Sequence, residues 1–322
     1  MSRHYYKDAD TLSHYTLHDL RRHILSTIAY FDLFHYPLMM DEIHLYLPVK
    51  CDVTDLEYVL KYLVIDRVVY HFDKFYTLKN EYFLVERRLQ GNARAATMIG
   101  TAKKVSNLLV RFPFVKGIAI SGSLSKNFAD EDSDIDLFII TTKNRLWVAR
   151  TLMHCFKKLT FLIKREHYFC MNYYIDEEGL QIREKNIYTA IEIATLIPVN
   201  GDTTFEQFYA ANNWTWNYLP NKCMRLTTAK SLKPSWLKRA FEWLFNNHFG
   251  NALDSLLMRI TADRWDKKRQ QKKLNIKGLI MGMDAGKHYA KPDPKNFQEK
   301  LILRYQLKLS QILEHWEGSA VN

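Results

Sequence analysis

The residues Ser121-Gly122-Ser123-Leu124-Ser125-Lys126-Asn127-Phe128-Ala129-Asp130-Glu131-Asp132-Ser133-Asp134-Ile135-Asp136-Leu137 combine two kinds of chemistry. At one end, Gly122 follows an apolar run and lets backbone approach an anion closely. Ser123 then opens a predicted helix, whose first amides and dipole favour phosphate. At the other end, Asp134 and Asp136 stand two apart on a predicted strand and so project from one face. Two adjacent carboxylates repel unless a cation lies between them, and Mg²⁺ takes one or two carboxylates together with substrate phosphates. An anion cradle beside a Mg²⁺ clamp is the equipment of phosphoryl or nucleotidyl transfer. Lys126 is a further candidate for contact with the triphosphate.

These residues need a sheet to hold them. Val115–Ile120 and Ile135–Ile140 are apolar runs that read as buried strands. A long, partly basic helix over 81–112 precedes them and ends at Pro113. An amphipathic helix over 145–163 and a third strand over Tyr168–Ile175 follow. The order predicts an α+β fold, a mixed sheet flanked by helices. Upstream, apolar spacing predicts helices over 17–34, 40–47 and 54–65, the last opened by a Thr54–Glu57 capping box. Two short strands around Asp73-Lys74 complete a winged-helix-like domain. Its third helix carries more acid than base, so a protein partner is expected there rather than DNA. Beyond about residue 187 the chain reads as helical, with Trp214, Trp216, Trp236 and Trp243 as core anchors. The expected domains are a winged-helix-like domain at 1–95, the transferase core at 96–200 and a basic helical domain at 201–322.

Gly-Ser followed by Ser133-Asp134-Ile135-Asp136-Leu137 resembles the signature of the polymerase-beta-like nucleotidyltransferase superfamily. The resemblance covers about residues 100–176. Ala29–Phe34 and Tyr188-Thr189-Ala190 add a likeness to bacterial nucleotidyltransferase-domain proteins with a winged-helix-like N-terminus. It implies that Gly122 and Ser123 hold the β- and γ-phosphates of a nucleoside triphosphate, and that Asp134 and Asp136 are the catalytic carboxylates and bind Mg²⁺. Where the family often has glycine, this chain has Asn127, which also tolerates left-handed backbone angles. The family's third carboxylate, a base and metal ligand on a later strand, corresponds to Asn172, with Glu166 and Asp176 flanking that strand. The implied reaction moves a nucleotide from the triphosphate to an acceptor hydroxyl on a small molecule, a protein or RNA. The alternatives are a nucleotide-binding regulator without a base and a nucleic-acid-binding protein using the basic last third.

Charge supports a polyanionic ligand. Residues 1–220 hold 26 basic and 26 acidic side chains, whereas 221–322 hold 20 and 9. A concentrated basic region attracts nucleotides, nucleic acid or an anionic surface. Arg264, Lys267, Lys268, Arg269, Lys272 and Lys273 form its densest cluster, and Lys287, His288, Lys291 and Lys295 crowd a proline-containing loop. The first residues lack an apolar signal segment, and no run is long and apolar enough to span a bilayer. A cytoplasmic protein with no membrane partner is therefore expected. Cys51, Cys155, Cys170 and Cys223 are far apart, without metal-ligand spacing, and read as buried thiols. His154, within the amphipathic helix, reads as packing rather than catalysis.

Overall fold

A computed structural model describes residues 16–160, 170–222, 229–273, 282–292 and 297–319. The chain divides into two compact units, one of Met1–Glu86, Trp216–Cys223 and Leu303–Asn322, the other of Arg87–Thr215 and Met224–Ile302.

The first unit begins with α1 (Leu17–Asp32), β1 (Leu38–Met39), α2 (Met40–Tyr46), α3 (Val53–Ile65), β2 (Tyr70–Phe72) and β3 (Phe75–Thr77). Thr16 caps α1: its hydroxyl accepts from the Asp19 amide while Asp19 accepts from the Thr16 amide. Leu20, Ile24, Leu25 and Ile28 of α1 are buried, as are Leu56, Val59, Leu60 and Leu63 of α3. The strands pair antiparallel in the order β1-β3-β2, and Asp73 turns the hairpin at φ 54. The expected Thr54–Glu57 capping box does not form. Helix α3 starts one residue earlier, with Asp52 at the cap position, which moves Thr54 into the first turn. β1 was not foreseen, because two residues leave no alternation to read.

The second unit holds most of α4 (Phe83–Leu109), then β4 (Val115–Ile120), α5 (Gly122–Ser125), β5 (Asp136–Thr141), α6 (Leu146–Thr160), β6 (Cys170–Asp176), α7 (Ile187–Thr195), β7 (Ile197–Asn200) and α8 (Asp202–Ala211). After a 3-10 turn at Asn213–Asn217 come α9 (Trp236–Phe245), α10 (His248–Gln270), β8 (Met283–Ala285), β9 (Tyr289–Pro292) and α11 (Phe297–Ser319), which ends in the first unit. The strands form one mixed sheet in the order β7-β4-β5-β6-β9-β8. Only β5 and β6 run parallel, joined through α6; the other neighbours are antiparallel. Ile118, Ile120, Leu137, Ile139, Trp147 and Tyr174 are buried in its core.

Two expectations need correction. The chain beyond residue 187 is not all helix, since β7, β8 and β9 join the sheet. β7 contains Pro198, which argues against a central strand but is tolerated at an edge, where β7 lies. Of the four tryptophans taken as core anchors only Trp214 is buried; Trp216, Trp236 and Trp243 are exposed. Helix α9 reverses its expected orientation, because it enters the core with Lys238. That ammonium donates to the carbonyls of Val110 (2.9 Å) and Val115 (2.7 Å), and Glu242 accepts from the Phe114 amide (2.7 Å). Among the cysteines Cys51 is buried, Cys155 is exposed, Cys170 is half-buried, and Cys223 lies outside the described residues.

His154 on α6 has an enclosed Nε2 that meets no hydrogen-bond partner among the described residues. Burial, reinforced by the charges of Arg150, Lys157 and Lys158, pushes its imidazole down to about 3. Between pH 6.5 and 3 the unfolded chain binds a proton that the folded chain refuses, so stability falls as pH falls through that window. Asp254, which burial pushes up to about 6, has the opposite sign, losing its contribution as pH rises, and is untouched by a change at His154. His154→Gln is therefore expected to recover roughly 1–2 kcal/mol relative to wild type at pH 5, measured by urea unfolding at pH 7 and pH 5.

Candidate active site

Gly122 and Asp136 meet where β4 ends and β5 begins. The Ser121 amide donates to the Asp136 carbonyl at 3.0 Å, so the chain leaves β4 directly beside the second aspartate. Gly122 then turns at φ 66, in the left-handed region that favours glycine. A β-carbon at this position would lie 2.5 Å from Asp136 Oδ2. The absence of a side chain thus seats the carboxylate against the turn. Asn127 adopts φ 57, meeting at its position the same left-handed demand that glycine meets in the family.

The acidic loop between the two ends is held by α4. Arg87 Nη2 donates to both oxygens of Asp130 at 2.8 Å, and its guanidinium lies 4.7 Å from the Phe128 ring centroid. Arg94 pairs with Glu131 at 2.8 Å. Phe128 packs over Gly91 so closely that a β-carbon there would lie 2.3 Å from its ring, and the Ala129 amide donates to the Gly91 carbonyl at 3.2 Å. Asp134 and Asp136 follow as half-buried residues on either side of the fully buried Ile135. Strand β5 starts only at Asp136, so Asp134 lies on the loop before it and not, as expected, on the strand.

Beyond Asp136 the neighbouring strand offers Cys170, directly opposite it in the parallel register. Burial first, then the Asp136 carboxylate, push this thiol up to about 12, so it stays protonated beside the carboxylates. Asn172 falls at an irregularity of β6, between Met171 opposite Leu137 and Tyr173 opposite Phe138; its side chain lies outside the described residues, as does Glu166. Asp176 pairs with Thr141, at the other end of β5, about 16 Å along the strand from Asp136. It is fully buried and accepts from the amides of Asn144, Glu178 and Gly179, while His288 Nδ1 lies 2.9 Å away. The structure seats Asp136 against Gly122, with Asp134 two residues earlier on the preceding loop, and places Asp176 elsewhere, as a tie between loops.

A cavity of about 210 Å³ opens beside Gly122 and Asp136. Phe138, Tyr173, Tyr188, Ile193 and Leu196 give it apolar and aromatic walls, and Glu184, Glu192 and Lys291 give it charge. Helix α7, capped where Asn186 accepts from the Thr189 amide, carries Tyr188, Thr189, Glu192 and Ile193 into the cavity. Glu192 accepts from Lys126 Nζ at 2.7 Å, and the same ammonium donates to the Gly122 carbonyl at 3.1 Å. Lys126 is therefore tied to the Gly-Ser turn and to the far wall at once. Ser123 is exposed and does not line the cavity. Lys291 extends from β9, not from a loop, and pairs with Glu184; that bond and neighbouring positive charge outweigh burial and hold the Glu184 carboxyl below its ordinary range. Among the described residues no group of three or more His, Cys, Asp or Glu is arranged to hold a metal.

Glu184 and Glu192 line the site without assignment from the sequence, whereas Tyr188 entered only through the family likeness and Lys291 only as part of a basic loop. Tyr188 and Glu192 are four apart on one helix, a spacing that gives a shared face but no link to a motif 50 residues upstream. Gly122→Ala is expected to destabilise the protein by about 1–3 kcal/mol, from left-handed strain and the collision with Asp136, measured by urea unfolding. An Asn127→Ala variant should bear the strain alone and lose less.

Residues 102–198 match the model of the nucleotidyltransferase domain family. No curated protein and no solved structure matches the chain significantly. The matched segment runs from within α4 through β7 and contains the Gly-Ser turn, both aspartates and the cavity-facing helix α7. The match covers under a third of the chain, and it agrees with the mixed sheet and with the Ser133–Leu137 motif that leads into β5.

Proposed function

We propose that the protein is a Mg²⁺-dependent nucleotidyltransferase that moves a nucleoside monophosphate from a triphosphate to an acceptor hydroxyl. The observation that carries this reading is the seat of Asp136 against Gly122, at the mouth of the aromatic cavity. The residues suit the ion: two half-buried carboxylates two residues apart, one of them seated beside a turn stripped of its β-carbon, suit a cation that also takes phosphate oxygens and water. Asp134 and Asp136 would hold Mg²⁺, which when bound neutralises charge developing on the phosphates.

Gly122 and Ser123 receive the β- and γ-phosphates, with backbone amides directed at them. Lys126 reaches the same place; an arriving triphosphate competes with Glu192 for its ammonium. The acceptor occupies the cavity and presents its hydroxyl in line with the α-phosphorus. The new phosphate ester forms as the bond to pyrophosphate breaks, and Glu192 accepts the hydroxyl proton, in place of a carboxylate at the Asn172 position of β6. Aromatic walls at Phe138, Tyr173 and Tyr188 favour a ring or other planar group on whatever fills the cavity.

The first unit has the strand and helix order of a winged helix, and we assign it to protein contact rather than DNA. Helix α3 exposes Glu57, Tyr58, Lys61, Tyr62, Ile65 and Asp66, a mixture poor in positive charge. We expect the protein to act in the cytoplasm.

Asp134→Ala is expected to abolish Mg²⁺-dependent nucleotide binding, whereas Glu192→Gln should bind nucleotide normally yet transfer label from an α-labelled triphosphate to cell-extract acceptors at least about 100-fold more slowly. Normal transfer by Glu192→Gln would remove it as the base. Nucleotide binding with no transfer by the wild-type protein would favour the regulator reading.

A further inference from the structure

Helix α9 is mounted inside out. Its polar side chains, Lys238 and Glu242, reach into the core, and Phe241 and Phe245 stack alongside with ring centroids 4.6 Å apart. Its largest apolar side chains face outward: Trp236 is 70% exposed and Trp243 82%, with Leu237 and Leu244 open beside them. Trp236-Leu237 and Trp243-Leu244 repeat at a spacing of seven, so the four form one stripe. The stripe continues past the Asn246-Asn247 junction to the exposed Phe249, whose ring lies 6.1 Å from Phe245.

The mounting is rigid. Arg145, almost fully buried, donates to the carbonyls of Phe245 (3.0 Å) and Asn247 (3.1 Å) and to Asn251 Oδ1 (2.6 Å). Burial, aided by repulsion from Lys116, pushes the Lys238 ammonium down to about 8 against the favourable pull of Glu242. Rotating α9 to bury its tryptophans would remove that lysine and glutamate from three backbone groups. The fold therefore keeps a row of large apolar groups in water while burying charge, the reverse of ordinary helix patterning.

The charge around the stripe selects its occupant. Lys230, Lys233 and Arg239 are exposed on or beside α9, whose one acid, Glu242, is turned inward to a backbone amide; Asp254 of α10 is likewise turned inward, and the exposed Asp263 and Asp266 lie toward the far end of α10. A second copy of the chain would bring like charges together across the stripe. An anionic surface satisfies both features, since tryptophan, leucine and phenylalanine flanked by Lys and Arg are the composition of helices that lie in the headgroup region of a bilayer. No helix among the described residues is long and apolar enough to cross a membrane, and in-plane attachment needs none.

We propose that the outward face of α9, continued by Phe249, docks the protein on anionic lipid bilayers. The test is co-sedimentation of the full chain with vesicles of phosphatidylcholine plus phosphatidylserine, and with phosphatidylcholine alone. The wild type is expected to bind the anionic vesicles, and salt should weaken binding. Trp236→Ala/Trp243→Ala should lower the partition coefficient at least about tenfold. Lys233→Glu/Arg239→Glu should do likewise on anionic vesicles only. All four positions are exposed, so both variants should keep the wild-type melting temperature. Wild-type protein that leaves both vesicle types in solution would overturn the proposal and leave an acidic protein as the partner. Equal binding by wild type and the tryptophan variant would overturn it as well.

Discussion

The contact between the Gly122 backbone and the Asp136 carboxylate governs the rest of the site. A left-handed turn with no side chain, pressed against the start of β5, puts an anion-ready loop and an acid within one residue's reach. Neither half is stable by itself. The turn depends on β4 pairing with both β5 and β7, and the acid depends on the buried alternation of Ile135 and Leu137. The acidic loop between them would repel itself if left in water; Arg87 and Arg94 of α4 hold it by paired charges. Such exposed pairs add little stability, but they fix the path of a loop whose ends carry the chemistry.

The second constraint is that the cavity belongs to the same sheet edge but to a different stretch of chain. Helix α7 and strand β9 bring Glu192 and Lys291 to a motif more than 50 residues earlier. Their charges are paired inside the cavity, Lys126 with Glu192 and Lys291 with Glu184. The walls are therefore nearly neutral, and an incoming anion meets two lysines already in place. This arrangement separates a backbone turn at Gly122 from a cavity walled by aromatic rings.

Much of this was legible in the residues. Gly122 carries its meaning locally, because a left-handed turn favours glycine by type alone, whereas the strand at Asp136 begins too late to hold Asp134. The strands β4 and β5 are mostly apolar runs, and Asn127 revealed its left-handed angle by its type. The Thr54 capping box did not form, because the helix begins at Val53 with Asp52 at the cap and Thr54 already in its first turn. β7 hid behind Pro198, and β8 and β9 are too short for a pattern. Glu192 and Lys291 gained their place from tertiary folding alone. The tryptophans misled for a different reason: burial was assumed from residue type, whereas Lys238 found three-way compensation in backbone oxygens and a neighbouring carboxylate, and took the core side of α9.

The central claim is that Asp136 holds a metal against a nucleotide cradled at Gly122. Calorimetric titration of ATP, GTP, CTP and UTP, each with and without Mg²⁺, into wild-type protein and Asp136→Asn tests it most directly. The account predicts binding of at least one nucleotide with a dissociation constant of order micromolar, dependent on Mg²⁺ and lost in the variant. Equal binding by Asp136→Asn, or by wild type without the metal, would contradict it.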